Sequence, residues 1–351
     1  MTTSRFTYRL TMAFLYGTIA LTVSVLFFSR LPFHRERVDL GSMVHGTAHQ
    51  PYAYRVLVPA VVRAAAAARD AAGPRAGGWD PISRLGARLL HDAGADDQGA
   101  LSFEYGVLFL LSALCFAGFG LLLRSLARVT YPEHPPFVAD IAPVLALAVL
   151  PLVFFRQSNL VYDAMTLFLF TLCVDRIARR SYRLYLLAFP LAMLNKETAI
   201  LLPLVLYLRE AGRIGRGRLA LATLAQLAFC GAVRLVQAWG MRGRAGGPVE
   251  WHLDYNLAAF GDPGFYVKTL AAVIPLAVLA GYGWRRKPAF VRRGLLVTAI
   301  PLAGVAFLLG VFGELRDYYE AYPFVFLLAL PTAVEVFQAG GRPDAPRPVV
   351  H

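Results

Sequence analysis

Residues 103–123 read FEYGVLFLLSALCFAGFGLLL, an unbroken apolar run whose one charge, Glu104, sits at its start. As a helix rising 1.5 Å per residue, this run is about 30 Å long, which matches the hydrocarbon thickness of a bilayer. Arg124 and Arg128 follow it directly. Nine further apolar stretches repeat the pattern, at roughly 8–29, 137–155, 159–175, 184–194, 198–208, 219–238, 265–284, 294–312 and 318–338. The reading is all-α: a polytopic helical membrane protein with about ten transmembrane helices. The first stretch is too long for the apolar core of a signal peptide and is expected to remain as the first span.

Composition agrees. Of 351 residues only 16% are charged and 57% are hydrophobic, against about 25% charged in a soluble domain. This excludes a disordered chain, a basic nucleic-acid binder and most soluble enzymes. The net charge of +13 comes largely from arginines clustered between apolar stretches, which is the positive-inside pattern rather than a nucleic-acid footprint. Cys115, Cys173 and Cys230 all fall within apolar stretches and read as small buried residues.

The stretches 184–194 and 198–208 are each about half a bilayer long. A single helix through both would leave Asn195, Lys196 and Glu197 unpaired at mid-membrane, so a hairpin with its tip in a polar cavity is expected. The clusters Arg176/Arg179/Arg180/Arg183, Arg209/Arg213/Arg216/Arg218 and Arg285/Arg286/Lys287/Arg292/Arg293 assign their segments to the cytoplasm. Counting outwards puts both termini inside, in agreement with Arg5, Arg9, Arg342 and Arg347. It puts 30–102, 156–158, 195–197, 239–264 and 313–317 outside. Residues 1–338 form one transmembrane domain. Its outer loop 30–102 carries helices over 52–69 and 81–91, the first lying in the interface. A disordered cytoplasmic tail follows over 339–351. Localisation is the inner (plasma) membrane.

The chemically varied residues gather on the outer side. Asp163 lies four residues from Asn159, a spacing that puts both on one helix face. It is either a buried interhelical hydrogen-bonding group or the wall of a site. Lys196 and Glu197 form either a local ion pair or a cation for an anionic ligand with an orienting carboxylate. In 314–320 (ELRDYYE), Arg316 is the single cation beside Tyr318 and Tyr319, suited to holding a phosphate. His45 and His49 are four apart, but Gly46 between them weakens a shared helix, and no metal is assigned.

The run PYAYRVLVP (Pro51 to Pro59), the run LNKETAILLP (Leu194 to Pro203), the acids Glu36 and Asp39 after the first span, and the acidic–Arg–aromatic segment before the last one resemble bacterial members of the C-type glycosyltransferase superfamily. The resemblance implies transfer of a sugar from a polyprenyl-phosphate donor to a glycan, lipid or protein acceptor at the outer face. No cofactor is required by it, and a divalent metal is left open. It implies Asp39 as the base, with Asp163 in reserve. Arg55, Lys196 and Arg316 would hold the phosphate, and Asn159, Glu197, Tyr54 and Tyr318 would orient substrate. The chain departs from the family in lacking a close acidic pair after the first span and a large C-terminal soluble domain. A lipid or polysaccharide transporter, a non-catalytic assembly factor, and another membrane transferase are the rival readings.

Overall fold

The computed structural model describes residues 5–340 apart from 34, 36, 74–76 and 262. Glu36, Arg342, Arg347 and the tail from 341 onward lie outside the described residues, and so does the side chain of Arg5. Fourteen α-helices follow in order: α1 (Arg5–Phe28), α2 (Leu40–His45), α3 (Leu57–Ala72), α4 (Asp80–Asp92), α5 (Ser102–Thr130), α6 (Pro136–Val153), α7 (Asp163–Ala178), α8 (Tyr182–Asn195), α9 (Leu202–Glu210), α10 (Arg216–Gly240), α11 (Leu253–Ala259), α12 (Pro263–Gly281), α13 (Ala289–Leu309) and α14 (Tyr322–Gly340). No strand occurs among the described residues.

Each of the ten apolar stretches contains a helix, although 159–175 becomes helical only at Asp163 and α14 begins only at Tyr322. Five of these helices are long and apolar enough to cross a membrane, namely α1, α5 with the turn before it, α6, α10 and α13. Two features among the apolar helices suit lipid rather than water. Large apolar side chains face outward, such as Phe14 on α1, Leu114 on α5, Leu152 on α6 and Leu235 on α10. Prolines stand inside α6, α8, α12, α13 and α14, which bilayer-spanning helices tolerate better than soluble ones.

Aromatic packing joins α1 to α5 and the end of α6. Phe27 meets Phe116 and Phe155 edge-on at 5.5 and 5.7 Å, and Phe28 meets Tyr105 at 5.8 Å. In hydrocarbon such contacts work through close packing rather than release of water. The loop 30–102 is helical where expected, but its first helix is delayed. A short 3₁₀ turn covers Tyr52–Tyr54, and α3 begins only at Leu57.

The helix ends sort into two groups. At one end, α7 is tied to α9 by Arg180–Glu210 (3.1 Å) and by Arg209 donating to the Ala178 carbonyl (2.9 Å). The feet of the 182–210 segment therefore meet, and α8 and α9 form a hairpin. At the other end lie its tip, the outer loop, and the segments 156–162, 241–256 and 313–320. Asn256 fastens this last group. Its Nδ2 donates to the carbonyls of Phe307 and Gly310 (both 2.8 Å), and its Oδ1 accepts the Phe312 N–H (3.0 Å).

Helix α4 lies hard against α5 at two glycines. A Cβ on Gly86 would overlap the Ser102 carbonyl, and one on Gly106 would overlap the Ile82 carbonyl. Gly106→Ala is therefore expected to destabilise by about 1–3 kcal/mol, read as a lowered unfolding temperature in detergent. Gly231→Ala on α10, whose Cβ would meet nothing within 4 Å, should be neutral or stabilising.

Candidate functional site

The hairpin tip is the centre of a cluster of buried charges. Helix α8 stops at Asn195 because Lys196 is extended (φ −156°, ψ 136°), and a 3₁₀ turn, Glu197–Leu201, leads into α9. Extended backbone sends successive side chains to opposite sides, so Lys196 and Glu197 do not pair with each other. Lys196 Nζ lies 3.3 Å from Glu320 Oε1, with both side chains buried, and Thr198 donates to the same oxygen. Glu197 faces the other way and takes a forked contact from Arg55, Nη2–Oε1 at 2.8 Å and Nε–Oε2 at 3.3 Å. The local ion pair weighed for Lys196 and Glu197 is thereby replaced by two long-range pairs.

Arg55 also sits 4.4 Å from the centre of the Tyr162 ring. Arg316 uses Nε and Nη2 on Glu314, at 2.8 and 2.6 Å. Asp163 interacts electrostatically with Arg316, Lys196 and Arg55, so the four charged residues singled out in the sequence share one locality. Its Oδ2 accepts the Leu160 N–H at 2.8 Å. Helix α7 starts at Asp163 itself, and a carboxylate in a helix's first turn is favoured by the helix dipole.

That start corrects the pairing of Asp163 with Asn159. Asn159 precedes the helix and shares no helical face with Asp163. Its Nδ2 donates to the Phe27 carbonyl (3.2 Å) and its backbone N–H to the Arg30 carbonyl (2.9 Å), which fixes the end of α1. Tyr54 is likewise occupied. Its hydroxyl donates to Gln50 Oε1 (2.9 Å), and Arg234 lies 3.9 Å from its ring centre. Asp39 caps α2, accepting the Ser42 N–H at 2.7 Å. Its other neighbourhood is Gly41 and Tyr105, and none of its described interactions reaches the cluster. Gly46 at φ 76° ends α2 after His45, so His45 and His49 do not share a helix. Among the described residues no group of three or more His, Cys, Asp or Glu side chains is arranged to hold a metal ion.

Several participants escaped the sequence reading: Arg234, Tyr162, Thr198 and, as the partner of Lys196, Glu320. Arg234 had a signal, because a guanidinium inside an apolar stretch is costly without a partner. It interacts electrostatically with Glu197 and Arg55.

Burial and pairing oppose each other throughout. Burial drives the Lys196 ammonium toward neutrality, but Glu320 and Asp317 overcome this and raise its pKa. Burial works against the Arg316 charge too, and Glu314 and Asp317 raise its pKa regardless. For Glu197, burial pushes the carboxyl up, while Arg55 dominates and holds it down from 4.5 to about 2.

The cluster is charge-balanced yet incompletely hydrogen-bonded. Buried Arg316 Nη1, Glu320 Oε2, Tyr162 Oη, Tyr319 Oη and Asn195 Oδ1 find no protein partner. Beside them opens a groove of about 510 Å³ between α6, α12, α13 and α14, with Leu276, Leu295 and Tyr318 in its lining. It shares Val153, Phe154, Thr269 and Leu315 with a cavity of about 240 Å³ lined also by Arg156 and Gln157. Phe154 stacks on Tyr319 at 4.8 Å, and Tyr319 interacts with Asp163 and Arg316. Phe154 thus stands between the groove and the charge cluster, lining the first and touching Tyr319 on the side of the second. The chain matches no family model, no curated protein and no solved structure.

Two outcomes follow. Removing one partner of the Lys196–Glu320 pair strands a buried charge, so Lys196→Met and Glu320→Gln should each cost about 3–5 kcal/mol, and Lys196→Met/Glu320→Met should recover much of that loss. Unfolding temperatures of the three variants check it. The lowered pKa of Glu197 means its stabilising contribution is complete above about 4.5 and fades as pH falls toward about 2. The stability gap between wild type and Glu197→Gln should accordingly be constant from pH 7 to 5 and narrow below 4.5.

Proposed function

We propose that this chain is an integral-membrane glycosyltransferase that uses a polyprenyl-phosphate sugar and transfers the sugar to an acceptor hydroxyl at the outer face of the inner membrane. The observation that carries the reading is an apolar groove whose wall residue Phe154 stacks on Tyr319, beside a charge cluster with unpartnered hydrogen-bonding atoms. This is the shape complement of a lipid with an anionic head. The resemblance to the C-type superfamily points the same way. The proposal includes the ten-span arrangement, with α3 lying along the outer interface and both termini in the cytoplasm.

In this reading Asp163 replaces Asp39 as the base, because Asp39 is committed to capping α2 while Asp163 stands in the cluster. The acceptor oxygen attacks the anomeric carbon, and its proton passes to the Asp163 carboxylate. The bond between that carbon and the phosphate oxygen breaks, and the phosphate leaves with the electron pair. Charge grows on the phosphate as the bond breaks, and the free Nη1 donor of Arg316 is suited to that oxygen. Lys196 and Arg55 contribute field rather than direct contacts, since Glu320 and Glu197 already hold them. Tyr318 belongs to the groove wall.

The experiment supplies purified protein in vesicles with a radiolabelled polyprenyl-phosphate sugar and measures release of free polyprenyl phosphate. Asp163→Asn and Arg316→Lys should each reduce release by on the order of 10²-fold or more, with Asp39→Asn lowering stability more than rate. Arg213→Ala, at the opposite end, should leave release unchanged. Translocation of the intact lipid without release would favour the transporter reading and overturn this one. For topology, a reporter active only in the periplasm should stay silent when fused after residue 351.

A further inference from the structure

A second cavity lies at the opposite end of the same helices, on the flank of α1, α5 and α6. It has a volume of about 800 Å³. On α1 the lining residue nearest the other end, Gly17, is eleven residues from Phe28, or about 17 Å along the helix. On α6, Asp140 is fourteen residues from Phe154, or about 21 Å. The cavity is thus displaced from the charge cluster by about half of the hydrocarbon thickness or more, and it shares no lining residue with that cluster.

We infer that this cavity binds an anionic phospholipid of the leaflet opposite the charge cluster. Its charged rim is built by Arg9, Arg124, Arg128 and Asp140, and its floor includes Ala13, Gly17 and Leu121. Asp140 is fully engaged. Its Oδ1 takes Arg124 Nε at 2.7 Å and Arg128 Nη2 at 2.8 Å, and its Oδ2 takes the Tyr8 hydroxyl at 2.6 Å. The rim therefore holds one carboxylate, paired with two of its three guanidiniums, which leaves a formal surplus of two positive charges. Each guanidinium carries five N–H donors, so Arg124 and Arg128 keep donors beyond those spent on Asp140.

The floor decides that the anion belongs to a lipid. Small residues open a trough on the outer flank of α1, where a Cβ on Gly17 would meet nothing within 4 Å. Leu121 beside it is half-exposed to the surroundings of the bundle. A soluble phosphate uses only the rim, whereas an acyl chain uses the floor as well. A zwitterionic headgroup brings a quaternary ammonium to a rim that is already cationic. A phosphodiester with a neutral headgroup alcohol brings only the negative charge. Basic pockets between membrane helices select anionic lipids on this principle.

The test uses the full chain in neutral detergent and native mass spectrometry, with phosphatidylglycerol, phosphatidylcholine and inorganic phosphate as separate probes. One equivalent of phosphatidylglycerol should be retained about tenfold or more over phosphatidylcholine, and inorganic phosphate should not displace it. Gly17→Phe fills the trough without touching the Asp140 pairs and should lose that equivalent. Arg9→Glu, on an exposed side chain, should weaken it independently. Arg124 and Arg128 are left intact because Asp140 depends on them. Unchanged unfolding temperatures establish that both variants are folded. Undiminished retention in both variants, equal binding of phosphatidylcholine, or displacement by inorganic phosphate alone would each overturn the assignment.

Discussion

A charge withdrawn from water must meet an opposite charge, and in this protein five consecutive residues at the tip of the α8–α9 hairpin meet that demand for a whole end of the bundle. Leu194 accepts the Val56 N–H at 3.1 Å. Asn195 donates to Tyr162 and Thr166 on and beside α7. Lys196 and Thr198 converge on Glu320, while Glu197 holds Arg55. The tip is thereby bonded to the outer loop, to α7 and to the segment that starts α14. Its extended break at Lys196 is what allows two adjacent charges to serve partners on opposite sides. A continuous helix over the same residues would set the two side chains only about 100° apart and could not direct them to opposite sides.

The two ends of the bundle treat their carboxylates differently. At the hairpin's feet, Asp175 and Glu210 are each shared by two arginines, as is Asp140, and several of these arginines extend toward solvent. Those contacts are screened by salt; the ones on Asp175 and Glu210 pin helix ends, whereas those on Asp140 belong to the cationic rim of the second cavity. At the tip, cations and carboxylates nearly cancel, little of the cluster is exposed, and the residual capacity lies in unpaired hydrogen-bonding atoms rather than in net charge. On the two proposals above, a ligand at the tip would be selected by donor and acceptor geometry, and one at the other end chiefly by sign.

Much of this could be read in the chain. Period, run length and arginine placement gave the helices, and the cost of isolated charges pointed to Asp163, Lys196 and Arg316. What failed was local inference. Asn159 and Asp163 are at helical spacing, yet the turn before α7 separates them. Lys196 and Glu197 are neighbours, yet extended backbone parts them. Tyr54 and Asp39 lie in motifs that suggest chemistry, yet one is held by Gln50 and Arg234 and the other caps a helix. In each case the deciding partner lies far away in sequence or depends on where a helix begins, and neither is set by residue spacing. The pairing of Arg55 with Glu197 spans 142 positions.

The groove between α12, α13 and α14 runs along the flank of the bundle, and Leu270 on its wall is more than half exposed. On the proposed function, a lipid occupant would enter sideways, by diffusion within the bilayer rather than from water. Its supply is then a surface density, expressed as a mole fraction of the bilayer. Diluting the same amount of lipid substrate with inert phospholipid would lower occupancy even when its bulk concentration is unchanged, whereas diluting the vesicles in buffer would not.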